Sequence, residues 1–420
     1  MKATKIARKL RARIGRFSGD VSKGLGIVAQ RFVSEMLYGM QASQSVMLTE
    51  IGRTLEEPIS LSKTHERLSR NLQREGLGDI VQDNVLALAA PQVEQDTLLI
   101  LDPSDIAKKY ARKMEYLARV RDGSAHDFAS GYWTLHVIGT QVGSSRMVPL
   151  YQRLWSSEAP DFVSENDEIM RAVDRVRAHV GDRGVWVIDR GGDRINLFAP
   201  LLDRGARFLV RLRGDRHLVY NAQTLSTREI AQGCRCTHRQ TMSRIRDERE
   251  EVLELSYGFR KVYLPERAEP LYLLVIHGFG QEPLMLLTTE PLRPSQRCLW
   301  HWVRAYIKRW SIEETIRYVK TCYDLENVRI LNYVGLQNLM PLLLAVLFFT
   351  ACVLDHDMRL RVMAGYVERA AKRLFGIPDF KYYALADGLR ALFTRNPGPP
   401  VTRIRRAEPK QLALELAHPT

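Results

Sequence analysis

The sequence predicts an α/β core, interrupted by a β-strand-rich stretch and flanked by helical regions at both ends of the chain. Three observations predict it. Short apolar runs, "TLLIL" and "GVWVI", each deliver an Asp at their end, as buried strands of an α/β sheet do at the edge where ligands bind. Strand-like and helix-like segments follow one another from Leu98 onward in the order β-β-β-α-β-α-β. From 214 to 296 the texture changes to polar loops and short alternating strands. At 420 residues with 45% hydrophobic side chains, the chain has room for two or three domains around a substantial core.

The segments read in order as follows. "MKATKIARKLRARIGRF" carries seven bases before Phe17 and no acid, and no apolar core of the kind a signal peptide requires follows it, so 1–25 reads as a basic arm. Residues 26–92 read as helices with polar joints. A break falls near Pro58, and the amphipathic segment after it carries Lys63, His65, Arg67 and Arg70. Two short helices with bases on the second suit a helix-turn-helix-like DNA reader; a small bundle with a solvated basic face fits the pattern equally. The core's first part spans 93–213. Leu98 to Leu101 form a buried strand, with Asp102 directly after it and Pro103 ending it. "GYWTLHVIG" and "MVPLYQRLW" follow as an antiparallel meander, then a helix opened by a Ser164/Asp167 capping box ahead of Ile169, Val173, Val176 and Val180. "GVWVIDRGGDR" brings Asp189 to a strand end, and a helix from about Asn196 and the strand "RFLVRLR" complete this part. The strand-rich insertion covers 214–296, with "EEVLELSYGF", "KVYLPE", "LYLLVIHGF" and "LMLLTTE" as strands. The core's second part, 297–355, holds a polar-striped helix and the apolar run Leu339 to Leu354, which is too short to span a bilayer and reads as a buried helix. A helical region, the "NPGPP" linker and a loose basic tail fill 356–420.

Sixty-two Lys and Arg against 48 Asp and Glu give a net charge of +14, and the bases cluster, which favours a polyanionic partner such as nucleic acid. The five cysteines, Cys234, Cys236, Cys298, Cys322 and Cys352, are few, odd in number and scattered, which points away from a disulfide framework and toward a reducing, cytoplasmic setting. Cys234, Cys236 and His238 have the look of a metal corner but lack a second pair at ligand spacing.

The stretch "AYIKRWSIEETIRYVK" concentrates the chemistry. At about 100° per residue Tyr306, Arg309, Glu313 and Lys320 share one side of a helix, bordering an apolar stripe of Ile312, Ile316, Val319 and Tyr323, while Glu314 points toward solvent. Glu313 thus joins Asp102 and Asp189 as a third carboxylate, with Asp105 as the alternative to Asp102. Three acids without His or Cys suit a hard cation, Mg²⁺ or Mn²⁺, and two such ions can activate a water or hydroxyl and stabilise the leaving oxygen of a phosphodiester. Lys320 lies about 10 Å along the helix from Glu313, so Arg309 and Lys320 would meet different phosphates of one strand.

Tyr306, Arg309, Glu313 and Lys320 match the Y-x2-R-x3-E-x6-K signature, and the chain thereby resembles DDE transposases of bacterial insertion sequences, in the family founded on insertion sequence four. "ILDPSD" and "IDRGGD" look like that family's first and second acidic motifs, and the resemblance extends over roughly residues 30–355. It implies an RNase H-like core with a mixed five-stranded sheet, two divalent ions at Asp102, Asp189 and Glu313, and backbone contacts from Tyr306, Arg309 and Lys320. Arg190 and Asp193 fit the second motif. It also implies a homodimer that cleaves duplex DNA at the element's terminal inverted repeats and joins the 3′-hydroxyls to target DNA, with an insertion aromatic receiving a flipped base: Tyr257, Phe259, Tyr263, Tyr272 or Phe279. A haloacid-dehalogenase-like phosphatase would place its second Asp one position earlier than "LDPSD" does. A catalytically inactive DNA-binding descendant, or an RNase H-like nuclease that cuts without joining, shares the named residues.

Overall fold

The computed structural model describes residues 3–123, 127–246, 249–364 and 381–400. The chain begins as a packed helix and not as an arm. Helix α1 (Ala3–Val21) buries Ile6, Leu10, Ile14, Phe17 and Val21. Spaced i, i+4, i+8, i+11 and i+15, they form one apolar face, which the density of intervening bases conceals in the sequence. Arg13 pairs with Asp355 at 2.7 Å and Arg11 donates to the Asn396 carbonyl at 2.6 Å, so both ends of the described chain meet here.

Four more helices complete the N-terminal region: α2 (Ile27–Ser43), α3 (Leu48–Thr54), α4 (Leu61–Leu72) and α5 (Leu77–Ala89). The break near Pro58 falls between α3 and α4, and Ser60 caps α4 by accepting from Lys63 N–H. Of the three bases expected to face DNA from α4, Arg67 turns inward. It donates to Glu35 at 2.5 Å and Glu57 at 2.8 Å, because α2 brings a buried carboxylate beneath it; Lys63 and Arg70 stay exposed. Asn338 holds this layer to the long apolar helix further on, donating to the Leu72 and Arg74 carbonyls and accepting from Gly78 N–H.

The core sheet starts at β1 (Leu98–Ala107), which runs straight through Asp102 and Pro103 instead of ending there. It pairs antiparallel with β3 (Asp127–Thr140) along its whole length, but parallel with β5 (Val185–Ile188) only from Leu98 to Leu101. Beyond Leu101 that edge is open, which is where a proline without an N–H is tolerated. An unanticipated strand, β2 (Ala118–Asp122), forms a hairpin with β3, and β4 (Val148–Trp155) pairs with β3 as the expected meander. Helix α6 (Glu165–Val180) opens on Ser164, whose hydroxyl accepts from Asp167 N–H at 3.1 Å, and α7 (Ile195–Asp203) leads to β6 (Phe208–Arg211), parallel to β5.

The strand-rich stretch does not stand apart from this sheet. After the small hairpin β7 (His217–Tyr220) and β8 (Gln223–Ser226) and helix α8 (Thr227–Gln232) come β9 (His238–Arg246), β10 (Arg249–Val262), β11 (Leu271–His277) and β12 (Leu284–Thr288). "EEVLELSYGF" and the start of "KVYLPE" are one strand, β10. Since β12 pairs with β6, ten strands form one mixed sheet in the order β2-β3-β1-β5-β6-β12-β11-β10-β9, with β4 on β3. The separate five-stranded sheet expected for the core is thus continued by the insertion: the apolar β12, buried at every position, satisfies the edge that β6 would otherwise expose.

Helices α9 (Gln296–Lys308) and α10 (Trp310–Cys322) follow, then α11 (Tyr333–Phe348), which continues as a π turn over Phe349–Val353. An 18-residue window of these 21 residues has a mean hydropathy of 2.0, long and apolar enough to cross a bilayer, but 83% of that window is buried, and the helix packs on α5, β4 and α2. Helices α12 (His356–Ala364) and α13 (Tyr382–Arg395) end the described fold; the basic tail lies outside the described residues. Leu10→Ala should lower stability by about 2–4 kcal/mol and Lys9→Ala, on the exposed face, by under about 0.5 kcal/mol, read from unfolding midpoints. Equal small effects would mean that α1 is not packed.

Candidate active site

Register sets the first two carboxylates. Leu101 pairs with Ile188 across the parallel strands, so Asp102 and Asp189, the next residues, leave adjacent strands about 4.8 Å apart at the carboxyl edge of the sheet. Asp189 Oδ1 accepts from Gly191 N–H at 2.7 Å, fixing a tight turn over Arg190–Gly192. The glycines are required there: a Cβ on Gly191 would sit 2.9 Å from that oxygen, and one on Gly192 2.6 Å from Ile188 Cγ2.

The third carboxylate arrives through a break in a helix. Arg309 interrupts the continuous helix expected over Ala305–Lys320; its N–H bonds back to Tyr306 O and the Ile312 N–H to Arg309 O, both at 3.0 Å, tightening one turn. Arg309 is thereby buried, 7% exposed, with Nη2 donating to Glu313 Oε1 at 2.6 Å and Nη1 3.9 Å from Asp102 Oδ2. Its Nε, also buried, meets no acceptor among the described residues. The exposures of the two glutamates are opposite to expectation. Glu313 has half its side chain in solvent and Glu314 only 17%, because α13 packs against α10 and its Tyr383 interacts with Glu314.

Burial, then Asp189, then Glu313 push the Asp102 carboxyl up to about 7, with Arg309 opposing. Both other acids thus contribute to the shift of Asp102. Burial opposes the charge on Arg309, but Tyr306, Asp102 and Glu313 outweigh it and raise its pKa. Tyr306 is held protonated by burial and Asp189, against Arg309 and a hydrogen bond from Arg211. Lys320 lies 3.5 Å from Asp105 and 3.1 Å from Glu326, so Asp105 serves as the partner of a base. Beneath them His136, opposite Asp102 on β3, is fully enclosed; burial and then Lys320 lower it to about 3, and it stays neutral.

A cavity of about 610 Å³ reaches Tyr306 and Arg190, the neighbour of Asp189, and is otherwise bounded by Arg211, Arg213, Arg228, Phe279 and Trp310. Sequence reasoning named Arg190 and Tyr306 here but missed Arg211 and Arg213. The strand-end logic that singles out Asp102 and Asp189 finds them when applied to the end of β6. Of the five insertion aromatics Phe279 reaches this cavity, whereas Tyr257 is fully buried beside Trp300. Asp193 takes Arg216 at 2.6 Å and the Arg213 N–H at 2.7 Å and is structural. Lys63, Arg67 and Arg70 lie on α4, whose packing is against other helices, outside this constellation.

The donors are all oxygens, which fits Mg²⁺ or Mn²⁺ in chemistry. In this arrangement Glu313 is turned to Arg309, and among the described residues no three acidic, His or Cys side chains are grouped closely enough to ligate one ion; Cys234, Cys236 and His238 are not so grouped either. No family profile and no curated protein matches the sequence. Among solved structures the chain is similar to that of the piggyBac transposase synaptic complex with hairpin DNA, at 10% identity and a TM-score of 0.44, over 94% of this chain and 79% of that one. A likeness of that degree carries no inference about the reaction.

Without a bound cation the ionised Asp102 destabilises the fold. Its folded pKa lies above the unfolded value, so the penalty is absent below about pH 4, grows between pH 4 and 7 and is complete above 7. Asp102→Asn should therefore stabilise the metal-free protein by about 2–4 kcal/mol at pH 8 and hardly at all at pH 4, measured by denaturant unfolding. An equal effect at both pH values would contradict the shift.

Proposed function

We propose that the chain is a metal-dependent DDE transposase that binds the ends of its element as duplex DNA, cleaves phosphodiesters there by hydrolysis and transfers the freed 3′-hydroxyls into target DNA. The observation that carries the reading is that Asp102 and Asp189 stand on neighbouring strands of one sheet and that Arg309, at a break between two helices, reaches both Asp102 and Glu313, with Tyr306 one turn earlier lining a basic cavity. The strand order β4-β3-β1-β5-β6, antiparallel on one side of β1 and parallel on the other, supports an RNase H-like core. A homodimer acting on DNA in a bacterial cytoplasm belongs to the same reading.

Asp102, Asp189 and Glu313 would hold Mg²⁺ or Mn²⁺, which when bound supplies an activated water or hydroxyl and stabilises the leaving oxygen. The chain's own groups do the rest. Arg309 stands between Asp102 and Glu313 as an internal counter-charge, with one donor unmatched, and would take a phosphate oxygen when Glu313 swings away. Tyr306, kept protonated, offers a hydroxyl donor to the backbone. Lys320, about 10 Å along α10 from Glu313, meets a neighbouring phosphate. Arg190, Arg211, Arg213 and Arg228 would steer a strand into the cavity, where Phe279 and Trp310 offer faces to an unstacked base.

The test is cleavage of a labelled duplex spanning the DNA that borders the chain's own reading frame, with Mg²⁺ and a supercoiled plasmid as target. Glu313→Gln should slow cleavage at least about a hundredfold while duplex binding persists, Glu314→Gln should cut near the wild-type rate, and end-joined plasmid should appear. A wild type that binds but never cuts, or a Glu313→Gln variant that cuts normally, would overturn the reading; cutting without joined product would leave a nuclease.

A further inference from the structure

Strand β1 and helix α10 run side by side in the same direction. Asp102 lies beside Arg309 and Glu313, Asp105 beside Lys320, and Lys108 beside the turn that ends α10, its Nζ donating to the Glu326 and Val328 carbonyls at 2.7 and 2.6 Å. The spacings agree: three residues of strand and seven of helix each cover about 10 Å. Past Lys108 the chain leaves the sheet in a loop, 109–113, that no strand or helix claims.

That loop is tethered at both ends and bare in the middle. Lys108 N–H donates to Ser130 O at 2.6 Å on one side. On the other, Glu115 N–H donates to Leu331 O at 2.9 Å, and its carboxylate accepts from Tyr333 N–H at 2.7 Å. Between them Tyr110 is 95% exposed, the most exposed large hydrophobic side chain among the described residues. Arg112, Lys113 and, across a cavity of about 750 Å³, Arg329 are exposed, and no described carboxylate pairs with any of the three. The nearby acids are already engaged: Glu326 with Lys320 and Glu115 with the start of α11. A loop held at both ends that presents an uncovered phenol among unneutralised bases has the make-up of a backbone contact, with cations for phosphates and an aromatic hydroxyl for a sugar or phosphate oxygen.

We propose that the loop of Tyr110, Arg112 and Lys113, with Arg329 opposite, is a second duplex-DNA contact, gripping the backbone beyond the cut as a continuation of the track from Arg309 to Lys320. This rests on the transposase reading only for the identity of the polyanion. Ala107 is five residues past Asp102, about 17 Å along the strand, which corresponds to about five phosphates of one DNA strand.

The experiment measures binding of the same border duplex without divalent metal, by fluorescence anisotropy from 50 to 300 mM KCl, for wild type and for Arg112→Gln/Lys113→Gln. Two lost phosphate contacts should reduce the slope of log affinity against log salt by about 2 and the affinity at 100 mM by about tenfold. The unfolding midpoint should not move, since neither side chain makes a described contact. A photo-crosslinking residue in place of Tyr110 should label nucleotides about four to seven positions from the cleaved phosphate. If the wild type binds with a steep salt slope and the double variant binds identically, or the crosslink goes to protein, the loop is not a DNA contact although the transposase reading stands. If the wild type does not bind duplex at all, both fall.

Discussion

The structure is organised around the repulsion between Asp102, in the middle of β1, and Asp189, just past the end of β5. Asp102 and Asp189 follow the last paired residues of two parallel strands, and at about 5 Å two like charges cost about 3 kcal/mol at an effective dielectric of 20. Nothing in the sheet can separate them, because Leu101 and Ile188 are locked in register. The compensation comes from outside, in a guanidinium pushed into the site by a one-residue break in a helix. Burying that arginine has its own desolvation cost, offset by Tyr306, Asp102 and Glu313 together. The charge in the middle of the acids is therefore provisional. A divalent cation would satisfy the same carboxylates better and free Arg309 for a phosphate.

The wider fold serves that edge. Parallel pairing of β1, β5 and β6 brings Asp102 within β1, Asp189 just past β5 and Arg211 at the end of β6, ahead of Arg213, to one side. Extension of the sheet through β12 and β11 carries Phe279 and its neighbours to the far wall of the basic cavity, so the insertion shapes the substrate side of the site without breaking the core. On the opposite flank α13 covers Glu314 and leaves Glu313 open, which separates a structural glutamate from an available one one residue away.

Where local rules decide the outcome, the sequence was legible. Apolar runs located β1 and β5, the Ser164 cap located α6, and the stripe of Ile312, Ile316, Val319 and Tyr323 is buried as its period implies. What escaped depended on partners distant in the chain. The core face of α1 was masked by bases that lie on its outer side. β1 continues past Pro103 because β3 pairs with it throughout, which its own sequence does not announce. Arg67 faces inward because Glu35 and Glu57 wait beneath it, and Glu314 is covered by a helix that begins only at Tyr382. Position in the sequence marks Asp102 and Asp189, but Arg309, which reaches both Asp102 and Glu313, is visible there only as a member of a stripe.

Under the proposed function Asp102, Asp189 and Glu313 would share one cation site in which Arg309 stands in for the metal. Its most direct test is Mn²⁺ binding to the DNA-free protein, followed by electron paramagnetic resonance. The account predicts that Asp102→Asn, Asp189→Asn and Glu313→Gln each weaken binding, that any two together weaken it little more than one, and that Asp105→Asn leaves it intact. Binding that ignores these three substitutions, or that disappears with Asp105→Asn, would contradict it.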